Sequence, residues 1–181
     1  MKFGFDPLTS IQILTPMCKN LLGADSLNHG LQEAMNPHGE ALLRGGTLFR
    51  VRDRVMQLRN NYDKDVFNGD IGFIREVDHE DRSLVVDFDG NHVKYRSDEL
   101  DELVLAYAST IHKSQGSEYP AVVIIIATQH FKLLQRNLLY TAVTRGKKLV
   151  CIVGSSKAVH IATANNTVRE RRTWLAERLR K

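Results

Sequence analysis

A run of seven apolar residues, Ala121 to Ala127, constrains the fold of this 181-residue chain more than any other feature. The run is rich in β-branched side chains and is far shorter than the roughly 20 residues that a membrane-spanning helix needs. An uninterrupted apolar strand indicates burial on both faces, which is typical of a parallel sheet covered by helices. The flanking segments agree with this, since 103–107 and 148–153 are predicted strands and 133–144 is a predicted helix.

The N-terminal part adds a strand and a helix to the same pattern. Residues 11–15 are a predicted strand that ends at Pro16. Asp25 or Ser26 is a predicted N-cap for the next helix. Its apolar face consists of Leu27, Leu31, Ala34 and Met35. At the other end of the chain, Thr167 and Glu170 have the spacing of a capping box and predict a last helix.

Between residues 48 and 103 the periodicity changes from helical to alternating. Four short runs alternate between apolar and polar residues, at 54–58, 72–77, 83–88 and 92–95. Asp89-Gly90 lies between the last two, and this dipeptide is a strong hairpin signal. We therefore predict an α/β domain, with a parallel sheet flanked by helices, at residues 1–47 and 103–181. A small antiparallel β-barrel is inserted at residues 48–102.

Cysteine and leader signals limit the class of protein. The two cysteines, Cys18 and Cys151, lie far apart and show no metal-ligand spacing. We interpret them as reduced thiols of a cytoplasmic protein, with Cys151 in the core. The N-terminus lacks the apolar segment of a signal peptide, and no segment is long enough to anchor the chain in a membrane. No metal site is predicted.

Charge is distributed unevenly along the chain. Residues 104–181 carry thirteen basic and three acidic groups, whereas residues 49–103 carry nine basic and fourteen acidic. A concentrated positive field favours a polyanionic partner such as nucleic acid or nucleotide phosphates. The alternative is a solvated basic helix at the C-terminus, because several of these groups lie between Arg169 and Lys181.

The segment from Ser109 to Glu118 has the composition of a phosphate-binding turn. A short helix predicted over Ser109–Gln115 would present free N–H groups and hydroxyls at its start. Gln115 and Gly116 permit a tight turn, and Glu118 can accept from a ribose hydroxyl. His112 and Lys113 can orient the turn or contact phosphate. The alternative is an ordinary helix with Gly116 after its C-terminus.

Arg145 is the second candidate for phosphate recognition. It follows the predicted helix 133–144 and precedes a strand, so it lies where a helix of an α/β sheet ends. A planar guanidinium suits bidentate contact with phosphate, and an arginine from a second domain can stabilise the charge on a transferred γ-phosphate. The alternative is that Arg145, with Lys147 and Lys148, pairs with the helix dipole.

The phosphate-binding loop of nucleotide hydrolases is absent from the sequence. No Gly-x-x-x-x-Gly-Lys-Ser/Thr pattern occurs, and Gly146-Lys147 lacks both the earlier glycine and the following hydroxyl. We therefore expect that the chain does not hold ATP and Mg²⁺ by itself. Asn60, Asn61 and Tyr62, with Lys64, belong to a polar loop that could touch a nucleic-acid backbone, although a merely solvated loop is an alternative.

Taken together, these residues resemble the C-terminal part of RecD-like superfamily 1 DNA helicases. Thr110 to Glu118 resembles motif V of that family, and Leu139 to Arg145 resembles motif VI. Weaker similarity covers the first strand, the following helix and the start of the barrel, at 12–17, 27–37, 53–57, 60–61 and 66–72. The resemblance spans about residues 10–155, and the family usually has alanine where this chain has Gly146, a change from which we expect little consequence.

The resemblance implies part of an ATP-dependent 5′–3′ DNA helicase that binds ATP and Mg²⁺ between two RecA-like domains. Arg145 would contact the γ-phosphate, and Gln115, Gly116 and Glu118 would couple the nucleotide to single-stranded DNA. The residues implied beside the DNA are Thr15, Pro16, Asn60, Asn61, Thr110, His112 and Lys113. The implied partners are single-stranded DNA and an N-terminal RecA-like ATPase domain.

Two other functions remain open from the sequence. One is a non-catalytic nucleic-acid-binding module that kept the fold, and the other is a regulatory fragment that supplies Arg145 to another ATPase. The joint presence of Gln115, Glu118 and Arg145 favours a helicase origin, because a simple binding module needs none of the three.

Overall fold

A computed structural model describes residues 3–166 and contains the expected parallel sheet. Its four strands are β1 (Ile11–Thr15), β9 (Ala108–Thr110), β10 (Tyr119–Ile126) and β11 (Gly146–Gly154), numbered in chain order. Their spatial order is β11, β10, β1, β9, and each neighbouring pair is parallel. The apolar run thus forms most of β10, and Val122, Ile124 and Ile126 are buried. The predicted last helix at Thr167 and Glu170 lies outside the described residues.

Three α-helices accompany this sheet: α1 (Ala24–Met35), α2 (Arg136–Val143) and α3 (Ser156–Ala164). Short 3-10 helices lie at Leu100–Glu102 and Thr128–Leu133. Helix α2 therefore begins three residues later than the predicted helix 133–144. The backbone N–H of Arg136 donates to the carbonyl of Asn165, which fixes the start of α2 against the end of α3. No helix between residues 3 and 166 is long and apolar enough to cross a membrane.

Helix α1 differs from the prediction in its cap and in its buried face. Its N-cap is Gly23, not Asp25 or Ser26. A Cβ at Gly23 would lie 2.3 Å from the Cys18 carbonyl oxygen, so the close approach of the chain selects glycine there. The fully buried residues of α1 are Ala24, Asn28 and Gln32. Leu27, Leu31 and Met35 are half-buried, and Ala34 is exposed.

The inserted barrel is a five-stranded antiparallel sheet with a hairpin packed against it. The sheet strands are β4 (Arg54–Gln57), β5 (Ile71–Asp78), β6 (Ser83–Phe88), β7 (Asn91–Arg96) and β8 (Leu103–Leu105), in the spatial order β7, β6, β5, β4, β8. The hairpin consists of β2 (Ala41–Arg44) and β3 (Thr47–Arg50). Leu42 and Phe49 of the hairpin share one core with Val55, Leu84 and Tyr95 of the sheet.

Two tight turns in the barrel use residues with positive φ. Asp89 has φ 50° and Gly90 has φ 95°, and the turn joins β6 to β7 as predicted. Gly45 and Gly46, at φ 56° and 83°, join β2 to β3 in the same way. Both turns suit the twist of antiparallel strands because both of their central residues have positive φ. The sequence analysis did not predict the second of these two hairpins.

The prediction that residues 103–107 form a strand of the parallel sheet was also wrong. Strand β8 pairs antiparallel with β4, with Leu105 opposite Val55 and Leu103 opposite Gln57. The chain then crosses through Ala106 and Tyr107 into β9. The last barrel strand thus lies beyond the predicted boundary at residue 102.

A buried carboxylate, that of Asp53, holds the barrel and the α/β part together. The amides of Gln32 and Asn36 donate to it from α1, and the Asn36 distance is 2.7 Å. The Arg50 backbone N–H and the Tyr107 hydroxyl donate at 2.7 and 2.8 Å. Burial and the neighbouring carboxylate raise the pKa of the Tyr107 phenol, so this hydroxyl remains a donor. Four donors from α1, the hairpin and the β8–β9 connection therefore meet at one group.

Two further contacts fix the same boundary. The Asn28 side chain donates to the Ala108 carbonyl at 2.9 Å and accepts from the Ala108 N–H at 2.8 Å. The buried guanidinium of Arg54 donates to the carbonyls of Leu8 and Ile11 at 3.1 and 2.8 Å. Both contacts satisfy backbone groups where an ordinary strand neighbour is missing, and they fix β9 and β1 relative to α1 and β4.

Strand β11 forms one edge of the parallel sheet, and much of its apolar surface is uncovered by the described residues. Ile152 is 40% exposed and Val153 is 50% exposed. Cys151 is exposed, and its predicted place in the core was wrong. The error arose because an apolar strand is ordinarily buried in a parallel sheet, whereas this one has, among the described strands, a neighbour on one side only.

His130 is a fully buried histidine in the 3-10 helix before α2. Its Nδ1 accepts a hydrogen bond from the Ala127 N–H at 3.2 Å. Its Nε2 has no partner among the described residues. Burial lowers the pKa of this imidazole, because the charged form would lose its hydration.

Replacing Asp53 with alanine is expected to destabilise the whole described body. Removing the carboxylate leaves four donors without their acceptor, and we expect the free energy of unfolding to fall by about 3 kcal/mol or more. Urea denaturation measures this change. Asp63→Ala is the control, because Asp63 is exposed and its loss should cost about 0.5 kcal/mol or less. A loss for Asp53→Ala as small as that of the control would contradict the role of this carboxylate.

Stability should also decline in mild acid because of His130. The folded-state pKa lies below the unfolded value, so the unfolded chain gains a proton first as the pH falls. The stabilisation is therefore present above about pH 6.5 and is lost below it. Thermal melts from about pH 7.5 to about pH 5.5 should show a smaller fall in Tm for His130→Asn, whose Oδ1 can accept from the Ala127 N–H. His160→Asn, at an exposed position, should keep the fall seen in the unaltered chain.

Candidate functional site

The segment predicted as a phosphate-binding helix is a strand followed by a compact turn. Thr110 ends β9, and residues 111–116 form hydrogen-bonded turns without a helix. The Ser114 N–H donates to the Thr110 carbonyl at 3.2 Å, and the Lys113 N–H donates to Thr110 Oγ1 at 3.2 Å. Gly116 has φ 90° and reverses the chain. The predicted helix Ser109–Gln115 is wrong because its first two residues pair with β1.

The turn divides its side chains between structural and accessible positions. Ser114 is buried, and its hydroxyl donates to the Ile111 carbonyl at 2.8 Å. Thr110 is buried and caps the turn. His112, Lys113 and Gln115 are exposed. Within the described part of the chain, the side chains of these three have no hydrogen-bond or ion-pair partner, so they are available to a ligand.

Thr15 and Pro16 lie directly beside this turn but beneath its surface. The Thr15 hydroxyl donates to the Leu22 carbonyl at 2.6 Å, and the side chain is fully buried. The Ile111 N–H donates to the Thr15 carbonyl at 3.0 Å. Pro16 is also buried. Both side chains are buried in this structure, and Thr15 contacts the turn through its backbone carbonyl. Their place beside the DNA stays a prediction.

Arg145 connects the end of α2 to the same turn. Its Nε donates to the Thr141 carbonyl at 3.1 Å, and its Nη2 donates to Thr144 Oγ1 at 3.2 Å. Its Nη1 donates to the Ser117 carbonyl at 3.0 Å. The Arg145 carbonyl in turn accepts from the Tyr119 N–H at 2.8 Å. The two motifs that stand apart in the sequence therefore form one hydrogen-bonded unit.

The half-buried guanidinium of Arg145 keeps two donors for an outside anion. A guanidinium has five N–H groups. Three are used within residues 3–166, namely those to Thr141, Thr144 and Ser117. The hydrogen bonds to Thr141 and Thr144 match the helix-capping interpretation. The two N–H groups that remain are available for contact with a phosphate. Both interpretations are thus compatible with this geometry.

Glu118 and Gly146 flank the arginine on either side. The Glu118 carboxylate lies 3.2 Å from the Lys147 ammonium, and both side chains are exposed. A Cβ at Gly146 would lie 2.6 Å from Val150 Cγ2 and 2.9 Å from the Leu149 carbonyl oxygen. The family's usual alanine would thus require a local shift here. The expectation that this difference has little consequence is not supported.

A polar cleft of about 430 Å³ opens between the turn and the start of α2. Its polar lining comes from His112, Gln115, Gln135, Asn137 and Thr141. Amide, imidazole and hydroxyl groups can accept and donate hydrogen bonds, so the cleft suits a hydrated polar ligand. No group of three or more metal-ligating side chains occurs within residues 3–166, as far as His, Cys, Asp and Glu are concerned.

Asn60 and Asn61 are used inside their own loop. Asn60 Oδ1 accepts from the Asn68 N–H at 2.9 Å, and Asn61 Oδ1 accepts from the Lys64 N–H at 3.2 Å. The loop exposes the rings of Tyr62 and Phe67 beside the carboxylates of Asp63 and Asp65. The sequence interpretation named Tyr62 and missed Phe67, although two aromatic residues in a polar loop are a signal for an exposed contact surface.

Comparison with protein families assigns the two parts of the chain. Residues 27–88 match the family described as ATP-dependent RecD-like DNA helicase SH3 domain. Residues 105–153 match the UvrD-like helicase C-terminal domain. The ATP-dependent RecD2 DNA helicase of Deinococcus radiodurans is 41% identical over 172 residues, which is 94% of this chain. The chain belongs to the RecD-like helicase family.

This RecD-like chain corresponds to only part of its relatives. It spans 24% of the Deinococcus helicase. It is also 33% identical over 126 residues to the RecBCD enzyme subunit RecD of Mycolicibacterium smegmatis, covering 70% of this chain and 22% of that subunit. The chain therefore spans about a quarter of the length of the curated relatives it matches.

Solved structures confirm the predicted fold class of the RecD-like chain. The structure of Pif1 helicase from Bacteroides in complex with ADP-AlF3 and ssDNA matches with a TM-score of 0.57 at 18% identity, over 93% of this chain and 44% of that one. Pif1 helicase from Candida albicans matches with a TM-score of 0.58 at 15% identity, over 97% and 50%. The fold is therefore the RecA-like parallel sheet with helices, together with a small barrel of the Src-homology-3 type.

The turn of this RecD-like chain should depend on the positive φ of Gly116. Gly116→Ala meets no atom within 4 Å, so its cost is conformational, and we expect a loss of about 1 kcal/mol in unfolding free energy. Gly30→Ala is the matched control, since Gly30 also has open space but lies within helix α1. It should gain about 0.5–1 kcal/mol. If urea denaturation showed that both substitutions raise, or that both lower, the free energy of unfolding, this interpretation would be contradicted.

Proposed function

We propose that this chain is the C-terminal motor part of an ATP-dependent 5′–3′ DNA helicase. It would bind single-stranded DNA and complete an ATP site whose other half belongs to an N-terminal RecA-like domain. The observation that carries the proposal is the bond from Arg145 to the Ser117 carbonyl. It ties a residue suited to phosphate to a turn that presents His112, Lys113 and Gln115 to solvent.

The relatives and the solved structures that resemble this chain support both the nucleotide and the DNA as ligands. The Deinococcus relative is named an ATP-dependent DNA helicase, and the Bacteroides Pif1 structure holds a nucleotide analogue and single-stranded DNA. By position in the motifs, His112 and Lys113 contact the DNA backbone. Gln115, Gly116 and Glu118 form the link between DNA and nucleotide.

Arg145 has the chemistry of an arginine finger in this proposal. Its two free N–H groups would meet the γ-phosphate, and its three internal bonds would report phosphate contact to the turn. Such arginines contribute roughly 10³–10⁵ in rate in characterised nucleotide hydrolases. ATP and Mg²⁺ would be held mainly by the other domain, because this chain has no Gly-x-x-x-x-Gly-Lys-Ser/Thr loop.

The first experiment measures binding of this chain to a fluorescent single-stranded oligonucleotide at several salt concentrations. We expect weak binding that falls with salt, because phosphate contacts release counterions. Lys113→Ala should reduce the slope of log affinity against log salt by roughly 0.7–1. Lys157→Ala, an exposed lysine on α3, is the control of equal charge.

The outcomes of this experiment separate the turn from general basicity. Equal slopes for the two variants would remove Lys113 from the DNA contact and would assign binding to the overall charge. Absence of binding at low salt would contradict a DNA site on this chain. ATP turnover by the pure chain would contradict the proposed division of the ATP site.

A second experiment tests Arg145 in a two-domain helicase that contains this chain. Arg145→Ala should abolish DNA-stimulated ATP hydrolysis and leave nucleotide affinity largely unchanged, because the finger acts on charge that develops in the transition state. Hydrolysis rates and nucleotide titrations measure the two effects. Arg136→Ala, which removes an arginine that donates to the Thr163 carbonyl, is the control. Normal hydrolysis by Arg145→Ala would leave helix capping as its only role.

A further inference from the structure

The polar loop between β4 and β5 presents two aromatic side chains to solvent. Tyr62 is 77% exposed and Phe67 is 41% exposed. Their ring centroids lie 5.9 Å apart, edge to face. Exposed aromatic side chains normally find cover in a folded protein or in a complex. A paired arrangement on one loop therefore indicates a contact surface.

The loop is held in one shape by its own hydrogen bonds. The backbone groups of Asn61 and Val66 donate to each other at 2.8 and 3.1 Å, and this pair closes the segment that carries Tyr62. The Phe67 N–H donates to Asp70 Oδ2 at 2.8 Å. The Lys64 ammonium donates to the Lys94 carbonyl at 2.9 Å. The aromatic pair is thus ordered before any partner arrives, which lowers the entropic cost of binding.

The charges near the pair are mainly acidic. Asp63 and Asp65 are exposed on the same loop together with Arg59, and Lys64 forms an ion pair with Glu99 at 2.8 Å. Residues 49–103 carry fourteen acidic and nine basic groups, whereas residues 104–181 carry three and thirteen. A strand that approaches both parts would therefore turn its phosphates toward the α/β part and away from the loop.

The loop is also directly connected to the candidate DNA-binding turn. The Leu58 N–H donates to the Glu102 carbonyl at 2.7 Å, and Glu102 leads into β8 and then β9. Eight residues separate Glu102 from Thr110, so at roughly 3.3 Å per residue the loop's anchor and the turn lie at most about 27 Å apart. A small cavity is lined by residues of both parts, including Met56 of β4 and Lys113 of the turn.

We propose that Tyr62 and Phe67, on the barrel, form a base-stacking platform for the single-stranded nucleic acid that the candidate DNA-binding turn also contacts. The proposal rests on the proposed function and specifies its substrate surface. The basic α/β part would hold the backbone, and the acidic barrel would receive an unpaired base on the Tyr62 ring. Stacking requires a π-face and no positive charge, so it tolerates the neighbouring carboxylates. Asn60 and Asn61 then shape the loop, and the aromatic rings make the contact.

The test uses the 181-residue chain and oligonucleotides that carry 2-aminopurine at one position in turn. We expect quenching at one position where the base stacks, and loss of that quenching in Tyr62→Ala. An oligonucleotide with an abasic site at that position should bind about tenfold more weakly to the unaltered chain. It should bind to Tyr62→Ala as well as the intact oligonucleotide does. Tyr62→Trp should keep the quenching, because a larger π-face replaces the phenol.

Controls separate stacking from a general loss of surface or of fold. Phe131→Ala removes an aromatic ring that is 63% exposed on the 3-10 helix before α2, and it should leave affinity and quenching unchanged. Tyr62→Ala should also leave the salt dependence unchanged, whereas Lys113→Ala alters it. This difference distinguishes the base contact from the phosphate contact.

Two results would overturn the proposal in distinguishable ways. If the chain binds DNA but Tyr62→Ala and the abasic site have no effect, the platform is wrong and the proposed function survives. The aromatic pair would then be assigned to a protein partner. If the chain shows no binding to single strands at low salt, the proposed DNA site and the platform both fail.

Discussion

The buried carboxylate of Asp53 is the contact on which the rest of the arrangement depends. Two amides of α1, a backbone N–H of the hairpin end and the Tyr107 hydroxyl all donate to it. Because these donors come from segments distant in sequence, their common acceptor defines how the barrel lies on the α/β part. Tyr107 directly precedes β9, so the same bond fixes where the candidate DNA-binding turn begins.

The candidate site is a small set of exposed groups supported by buried ones. Thr15, Thr110 and Ser114 use their hydroxyls on backbone groups and give the turn its shape. Arg145 adds a bond from the end of α2. A change at the guanidinium therefore reaches the exposed side chains of the turn through three bonded residues at most. This short path is the physical basis for coupling nucleotide to DNA in the proposed helicase.

Local signals in the sequence predicted helices and strands. Where those signals were insufficient, pairing between residues distant in sequence determined the structure. The apolar run of β10 and the Asp89-Gly90 hairpin carry their structure in their own residues. Residues 103–105 have no local mark that assigns them to the barrel, because only pairing with β4 does so. The motif residues were found from the family resemblance. The sequence did not indicate which of these residues are buried and which are exposed, since Thr15 and Asn61 are as polar as His112.

The edge of β11, which no strand within residues 3–166 covers, has a consequence for handling the protein in solution. The backbone groups along this edge and the exposed side chains of Ile152 and Val153 offer a template for strand pairing between molecules. Lys147 and Lys148 at its start act as gatekeepers, because their like charges oppose close approach of two such edges. Salt screens this repulsion. The high-salt conditions that release bound DNA are therefore also the conditions that favour aggregation of the isolated chain.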